Sequence, residues 1–166
     1  MPIKIFAIDI QDEAAMVRCG KQLAQLLQAG DVVRLCGTLG AGKTVLARSV
    51  IQEIHPQETD VPSPTFPLVQ FYEHESLPIW HFDLYRLENP DDVWELGLEE
   101  ALEMGVSLIE WPQKAGAALP DEALTVEIDL LENGVRRLGF FVDANAHTQW
   151  SERMAVWVGE YSKADV

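Results

Sequence analysis

Basic residues are scarce in this chain. Its 166 residues include 12 lysines and arginines against 27 aspartates and glutamates, a net charge of −15. Proteins that bind RNA or DNA rely on lysine and arginine contacts to phosphate, so we expect no strong direct binding of nucleic acid. Solubility alone accounts for the negative charge, and an acidic face that docks on a basic protein partner is the alternative interpretation.

Cysteine and long apolar runs are also scarce. The two cysteines, Cys19 and Cys36, fall on a predicted helix and a predicted buried strand, which favours reduced core residues in a cytoplasmic protein. No Cys/His spacing indicates zinc. No apolar run reaches the roughly 18 residues of a membrane span, and residues 1–9 do not resemble a secretory signal. The length suits a single domain over residues 1–166.

A glycine-rich loop is the strongest motif present. Residues 37–44, Gly-Thr-Leu-Gly-Ala-Gly-Lys-Thr, fill the pattern G-x-x-x-x-G-K-[ST] at every fixed position. An apolar run at 32–36 precedes it and a helical pattern at 45–51 follows, so backbone N–H groups and the helix dipole converge on one point that attracts phosphate. A simple glycine-rich turn is the alternative. The predicted nucleotide contacts are Leu39, Gly40, Ala41, Gly42, Lys43, Thr44 and Val45, with Lys43 on the β- and γ-phosphates and Thr44 on Mg²⁺.

The remaining pattern predicts an α/β, three-layer fold of the P-loop NTPase type. Strands alternate with helices and an antiparallel hairpin follows near the C-terminus, so we expect a mainly parallel sheet with antiparallel strands at one side. Four prolines mark residues 56–67 as a restricted loop. The predicted strands are 3–10, 32–36, 68–72, 79–83, 106–110, 124–130 and 136–142. The predicted helices are a first one capped by Asp12 and ending at Gly30, then 43–54, short ones within 90–104, and 147–161.

Two acids end predicted strands. Asp83 follows residues 79–82 and Glu110 follows 106–109, and strand C-termini gather on the edge that carries the phosphate loop. Both carboxylates are candidate magnesium ligands, and surface acids at strand ends are the alternative. Thr65, in the proline-bounded loop, is a candidate γ-phosphate sensor or part of a rigid turn. Trp111 is a candidate for stacking on adenine or a core tryptophan.

Two residues near Asp83 have less specific interpretations. His81 precedes it by two positions and is expected to be a packed residue more often than a base. Arg86 is a candidate contact to phosphate or to a partner, with a surface salt bridge as the alternative.

Taken in order, the motifs resemble those of the TsaE (YjeE-type) ATPases. The phosphate loop is followed by Ser-Pro-Thr-Phe at 63–66, His-Phe-Asp-Leu-Tyr-Arg-Leu at 81–87, Glu-Leu-Gly-Leu-Glu-Glu at 95–100 and Ile-Glu-Trp-Pro at 109–112. The resemblance covers roughly residues 12–142, and the C-terminal extension 144–166 lies outside it. Thr38 replaces the acid that the family usually has after the first loop glycine, and Gln113 stands where an acid is frequent.

The resemblance implies a cytoplasmic bacterial ATPase required for tRNA threonylcarbamoyladenosine modification. It implies ATP and Mg²⁺ as cofactors and a TsaD–TsaB heterodimer as the protein partner, which ATP hydrolysis would reset between turnovers. The family pattern assigns catalytic roles to Lys43, Thr65, Asp83 and Glu110 and metal ligation to Thr44, Asp83 and Glu110, and it places Trp111 near the nucleotide.

A small-molecule kinase of the P-loop class is the main alternative. Such enzymes usually carry an arginine-rich lid, whereas the seven arginines of this chain are scattered. A GTPase is disfavoured because no Asn-Lys-x-Asp motif is present. A module that binds ATP without hydrolysing it is the third class. Since no arginine finger or water-orienting glutamine is evident, we hypothesise slow hydrolysis by the isolated protein and completion of the site when a partner orders loop 56–67.

Overall fold

The computed structural model describes residues 1–164, with side chains up to Tyr161. Within them, seven strands form one sheet in the order β1-β7-β6-β2-β5-β4-β3. The strands are β1 (Ile3–Ile10), β2 (Val32–Gly37), β3 (Val69–Tyr72), β4 (Ile79–Asp83), β5 (Val106–Glu110), β6 (Leu124–Leu130) and β7 (Arg136–Val142). The α-helices are α1 (Glu13–Ala24), α2 (Lys43–Ile54), α3 (Leu98–Met104) and α4 (His147–Ala164), and 3₁₀ segments occupy Pro90–Leu96, Pro112–Ala118 and Ala144–Ala146.

The sheet is parallel only in its middle. β4 pairs with β5, and β2 pairs with both β5 and β6, all in parallel, whereas β3–β4, β6–β7 and β7–β1 are antiparallel. Antiparallel strands therefore lie at both edges, and the expectation that they lie at one side was wrong. The short connection 73–78 leaves no room for a crossover helix, so β3 and β4 form a hairpin. β1 lies at the other edge because it pairs with β7. The residue-to-residue register of that pairing is not visible in the sequence pattern.

The first helix begins as predicted and ends earlier. The Asp12 carboxylate accepts the backbone N–H of Ala15 at 2.8 Å, an N-cap that typically contributes about 1 kcal/mol. The helix ends at Ala24 and not at Gly30. The Asp31 carboxylate accepts from the backbone N–H of Gln28 at 2.6 Å, and side chain–backbone bonds of this kind compete with helical ones.

Two apolar cores cover the two faces of the sheet. On one face α1, α2 and α4 bury Leu23, Ile51 and Trp150 against strand residues such as Leu35. On the other face α3 and the 3₁₀ segments bury residues such as Leu98 against β4 and β5. Buried apolar area of this kind is the main favourable term in folding, at roughly 25 cal/mol per Å². This packing on both faces holds the central strands in place. It therefore also fixes the positions at which the loops at their C-terminal ends begin.

The two cysteines have the placements that the sequence predicted. Cys19 lies buried on α1 and Cys36 lies partly buried on β2, and neither forms a disulfide. Burial raises the pKa of Cys19 to about 12, and burial together with the nearby Glu127 carboxylate raises the pKa of Cys36. Both thiols therefore stay protonated near neutral pH. Of the helices described, none has the length and apolar character needed to cross a membrane.

The predicted C-terminal helix is confirmed and is part of the core. Trp150, Met154 and Trp157 are buried on one face of α4. The Trp150 indole N–H donates to the Glu122 carbonyl at 2.8 Å, and the Trp157 ring lies edge-on to Phe6 at 5.1 Å between centroids. The extension beyond residue 144 therefore closes the apolar face near β1 and β7.

Trp150→Ala is expected to destabilise the protein by about 3–5 kcal/mol, because it leaves a large cavity in the core and removes the hydrogen bond to the Glu122 carbonyl. Urea unfolding followed by circular dichroism measures the loss. Val156→Ala is the matched control, since Val156 lies on the same helix with 74% of its surface exposed, and we expect a change within about 0.5 kcal/mol. Equal stability of both variants would show that α4 does not complete the core.

Candidate functional site

The parallel strands deliver the predicted residues to one edge of the sheet. β2 leads into loop 37–44, β4 ends at Asp83 and β5 ends at Glu110, and these two acids are register partners on adjacent strands. A cavity of about 320 Å³ opens at this edge. It is lined by Ile10, Asp12, Glu13, Met16, Leu39, Gly40, Ala41, Gly42, Lys43, Thr44, Val45, Ser63, Thr65, Asp83, Glu110, Trp111 and Arg136. Apart from Arg86, the structure thus brings together every residue that the sequence singled out as a nucleotide, metal or catalytic candidate.

The loop adopts a backbone that requires glycine. Gly40 has φ +78° and Gly42 has φ +115°, a region that L-residues with a Cβ rarely adopt. Gly42 is also the N-cap of α2, and a Cβ there would lie 3.0 Å from the Met16 Cε methyl carbon. The free N–H groups at the start of α2 therefore face the cavity without a side chain in between, an arrangement that binds anions.

Lys43 is buried at the floor of the cavity. Its ammonium donates to the carbonyls of Gly37 at 2.5 Å and Thr38 at 3.0 Å, and it lies 4.1 Å from the centre of the Trp111 ring. Burial lowers the pKa of Lys43, and the carboxylates of Glu110 and Asp83 partly oppose that shift. The end of the Lys43 side chain therefore lies between two carbonyl oxygens and the face of an aromatic ring.

Thr44 and Glu110 form the second part of the site. The Thr44 hydroxyl donates to the Glu110 carboxylate, 3.0 Å from Oε1 and 3.2 Å from Oε2. Glu110 is almost fully buried, and its Oε2 also lies 2.6 Å from Nε2 of the buried His81. His81 is thus the packed residue that the sequence favoured, and one of its ring nitrogens contacts a site carboxylate.

Loop 56–67 is tied to the site through Thr65. The Thr65 hydroxyl donates to Asp83 Oδ2 at 3.1 Å and lies 2.8 Å from the Ser63 hydroxyl. The other Asp83 oxygen accepts the backbone N–H of Tyr85 at 3.1 Å. Asp83 is therefore in direct contact with the proline-rich loop.

The oxygen donors at this edge fit a hard cation such as Mg²⁺. Thr44, Asp83 and Glu110 offer a hydroxyl and two carboxylates, and Mg²⁺ is commonly bound through one or two carboxylates plus waters and substrate phosphates. Across residues 1–164, no group of three or more His, Cys, Asp or Glu side chains is placed to hold a metal ion. The residues therefore suit a cation that arrives with a phosphate ligand better than one held by the protein alone.

Trp111 lines the cavity, whereas Arg86 lies outside it. Trp111 has φ +58°, uncommon for a bulky residue, and its ring contacts the Lys43 ammonium and lies 5.0 Å from the Tyr85 ring. Stacking of Trp111 on adenine stays a prediction. The Arg86 guanidinium lies 4.6 Å from the centre of the Phe66 ring, outside the cavity. Arg86 therefore lies beside loop 56–67.

The sequence missed one wall of the cavity. Arg136 lines it and donates to the Gly40 carbonyl at 3.3 Å, and the start of α1 contributes Asp12, Glu13 and Met16. Arg136 comes to the site because β7 pairs with β1 and sets it opposite Ile10. The adjacent arginines 136 and 137 were a visible signal, but the edge pairing that gives Arg136 its position was not.

Comparisons with known proteins point to one family. A family model described as threonylcarbamoyl adenosine biosynthesis protein TsaE matches residues 10–138. Relatives named tRNA threonylcarbamoyladenosine biosynthesis protein TsaE include those of Rickettsia conorii, 37% identical over 86% of this chain and 81% of the relative, and Haemophilus influenzae, 38% identical over 75% and 82%. The Bacillus subtilis relative of the same name is 33% identical over 81% of this chain and 84% of its own length.

A solved structure has a similar fold. The crystal structure of Bacillus subtilis YdiB superposes with a TM-score of 0.71, covering 100% of this chain and 99% of that one, at 24% sequence identity. At that identity the likeness establishes the mixed α/β architecture with its seven-stranded sheet.

Proposed function

Because this chain belongs to the TsaE family of tRNA threonylcarbamoyladenosine biosynthesis proteins, we propose that it is the ATP-binding and ATP-hydrolysing component of that machinery. In this proposal the chain adopts a P-loop NTPase fold and works in the cytoplasm with ATP and Mg²⁺. It acts on a TsaD–TsaB complex, whose transferase it resets so that turnover can repeat. It does not transfer the threonylcarbamoyl group itself.

One observation supports the proposal most strongly. A glycine loop, a buried lysine and two strand-end carboxylates meet in a single cavity. Each alone has a structural explanation, but together they provide what phosphoryl transfer requires, namely anion-binding amides, a cation and hard oxygen ligands for magnesium.

The nucleotide phosphates would lie against the start of α2. Backbone N–H groups of residues 40–44 would donate to the β-phosphate, and the Lys43 ammonium would exchange the carbonyls of Gly37 and Thr38 for phosphate oxygens. Since the Trp111 ring contacts that ammonium, it would lie beside the phosphates, and stacking of Trp111 on adenine is not part of this proposal. Arg136 and the start of α1 form the opposite wall and would contact the adenosine.

Magnesium would be held by the Thr44 hydroxyl together with Glu110 and Asp83. When bound, the ion would neutralise charge that develops on the β- and γ-phosphates. The Thr44 hydroxyl and the Glu110 carboxylate lie 3.0 Å apart, which supports a shared role in holding the ion. Thr65, bonded to Asp83, would respond to the γ-phosphate and would convey its loss to loop 56–67.

The net charge of −15 supports a protein partner over direct contact with tRNA. We expect slow hydrolysis by the isolated chain because of the limited set of catalytic groups that line the cavity. Its one arginine, Arg136, donates to the Gly40 carbonyl, and no glutamine contributes to the wall in the part of the chain that the structure describes. Arginine fingers in related chemistry contribute about 10³–10⁵ in rate when a partner supplies them.

The ATPase rate, measured with and without purified TsaD–TsaB, tests this function. We expect slow phosphate release alone and at least about tenfold stimulation by the partner pair. An unrelated protein complex at equal concentration is the control. A fast rate from the monomer would contradict the need for a partner. ATP consumption that occurs only with a small-molecule acceptor would identify the kinase alternative.

A further inference from the structure

A buried histidine directly contacts the site carboxylate Glu110. His81, in the middle of β4, has no solvent-exposed surface, and its Nε2 lies 2.6 Å from Glu110 Oε2. Nδ1 of the same ring is buried and has no hydrogen-bond partner among residues 1–164. The imidazole is therefore fixed through one nitrogen only.

This arrangement is costly for a residue that serves packing alone. Burying a polar nitrogen without a partner is unfavourable, and the neighbouring positions on β4, Trp80 and Phe82, are buried hydrophobic residues. An apolar side chain at position 81 would avoid the unpaired nitrogen. The hydrogen bond to Glu110 is the one interaction of the imidazole that an apolar side chain at this position could not make.

The bond also assigns the donor. A carboxylate accepts, so Nε2 carries a hydrogen and donates it to Glu110. His81 is absent from the cavity lining, so it has no access to substrate and is not a general base. Its effect on chemistry must pass through Glu110.

We infer that His81 is a positioning residue that locks the Glu110 carboxylate toward Thr44. Glu110 accepts from the Thr44 hydroxyl and from Nε2 of His81, and together these donors fix the orientation of the carboxylate. A carboxylate so oriented presents its remaining lone pairs in one geometry to a cation beside Thr44, and partners behind a ligand typically change metal affinity or activity by 10–100-fold. The inference rests on the proposed function for its consequence in hydrolysis, but the His81–Glu110 bond itself does not.

Three substitutions separate positioning from packing. In His81→Gln the amide nitrogen takes a place close to that of Nε2 and can donate to Glu110. In His81→Asn the amide corresponds to Nδ1 and falls short of it. His81→Leu fills the space without a donor. We expect Asn and Leu to lower kcat for ATP hydrolysis by about 10–100-fold with little change in KM for ATP, and to raise the Mg²⁺ concentration needed for half-maximal rate. Gln should restore at least a third of the wild-type kcat.

A second readout needs neither nucleotide nor metal. Urea unfolding of wild type, His81→Leu, Glu110→Ala and the double variant forms a double-mutant cycle, in which each single variant removes the bond. We expect the effects on the unfolding equilibrium constant to be non-additive by a factor of about ten, because the two side chains bond directly. Additive effects would show that the two side chains do not interact directly and would contradict the inference.

The outcomes are distinguishable from failure of the proposed function. If wild-type protein neither binds nor hydrolyses ATP while the cycle shows coupling, the function fails and the His81–Glu110 bond stands. If wild type hydrolyses ATP and Gln, Asn and Leu all match it, or if Gln is impaired as much as Asn, the positioning role is overturned. Should Leu fail to fold, the comparison of Gln with Asn still decides.

Discussion

Lys43→Ala is expected to abolish tight binding of ATP. The buried ammonium lies at the base of loop 37–44, where it donates to the carbonyls of Gly37 and Thr38. Hydrogen bonds to charged groups contribute about 1.5–3 kcal/mol each, so losing two such bonds to phosphate should weaken binding at least about 100-fold. Displacement of a fluorescent ATP analogue at fixed Mg²⁺ concentration measures the change.

Lys114→Ala is the matched control for this variant. It removes the same charge from an exposed position outside the cavity, so we expect affinity within about twofold of wild type. Circular dichroism should show that Lys43→Ala remains folded. Unchanged affinity in folded Lys43→Ala protein would contradict the placement of phosphate at this loop.

Glu110→Ala is expected to separate catalysis from nucleotide binding. The carboxylate contacts Thr44 beside the proposed magnesium position, whereas the amides proposed to bind the phosphates belong to loop 37–44. Hydrolysis should fall by about 10²–10³, typical of losing a group that acts on charge in the transition state. Affinity for ATP measured in EDTA should change by less than about threefold.

Glu100→Ala controls for the loss of one acid, since Glu100 is exposed on α3 and lies outside the cavity. Rates are measured as phosphate release across a series of Mg²⁺ concentrations. Glu110→Gln keeps the size of the side chain and should be nearly as slow as Glu110→Ala, because the amide is a weaker ligand for magnesium. Wild-type turnover in either Glu110 variant would show that the metal is held elsewhere.

Local chemistry explains why much of the candidate site could be predicted. Gly40, Gly42, Lys43 and Thr44 are needed within one strand–loop–helix unit, so their spacing is visible in the sequence. Asp83 and Glu110 could be predicted as well, because the ends of parallel strands meet at one edge of the sheet. The structure places these two residues as register partners on adjacent strands. The rule needed only the strand positions, and those were right to within a residue or two.

Contacts set by long-range pairing could not be predicted. Arg136 reaches the cavity because β7 pairs with β1 more than 120 positions away in sequence, and edge register is not encoded in a local pattern. The His81–Glu110 bond depends on side-chain directions across two strands. The early end of α1 depends on an Asp31 carboxylate that Arg153 of α4 also contacts, at 3.1 Å from Nη1.

Calorimetric titration of wild-type protein with ATP and Mg²⁺ tests the central claim most directly. The claim is that the amides of loop 37–44 and Lys43 bind the nucleotide phosphates. It predicts a saturable heat with one nucleotide bound per chain. A well-folded preparation that gives no heat above dilution would contradict the account.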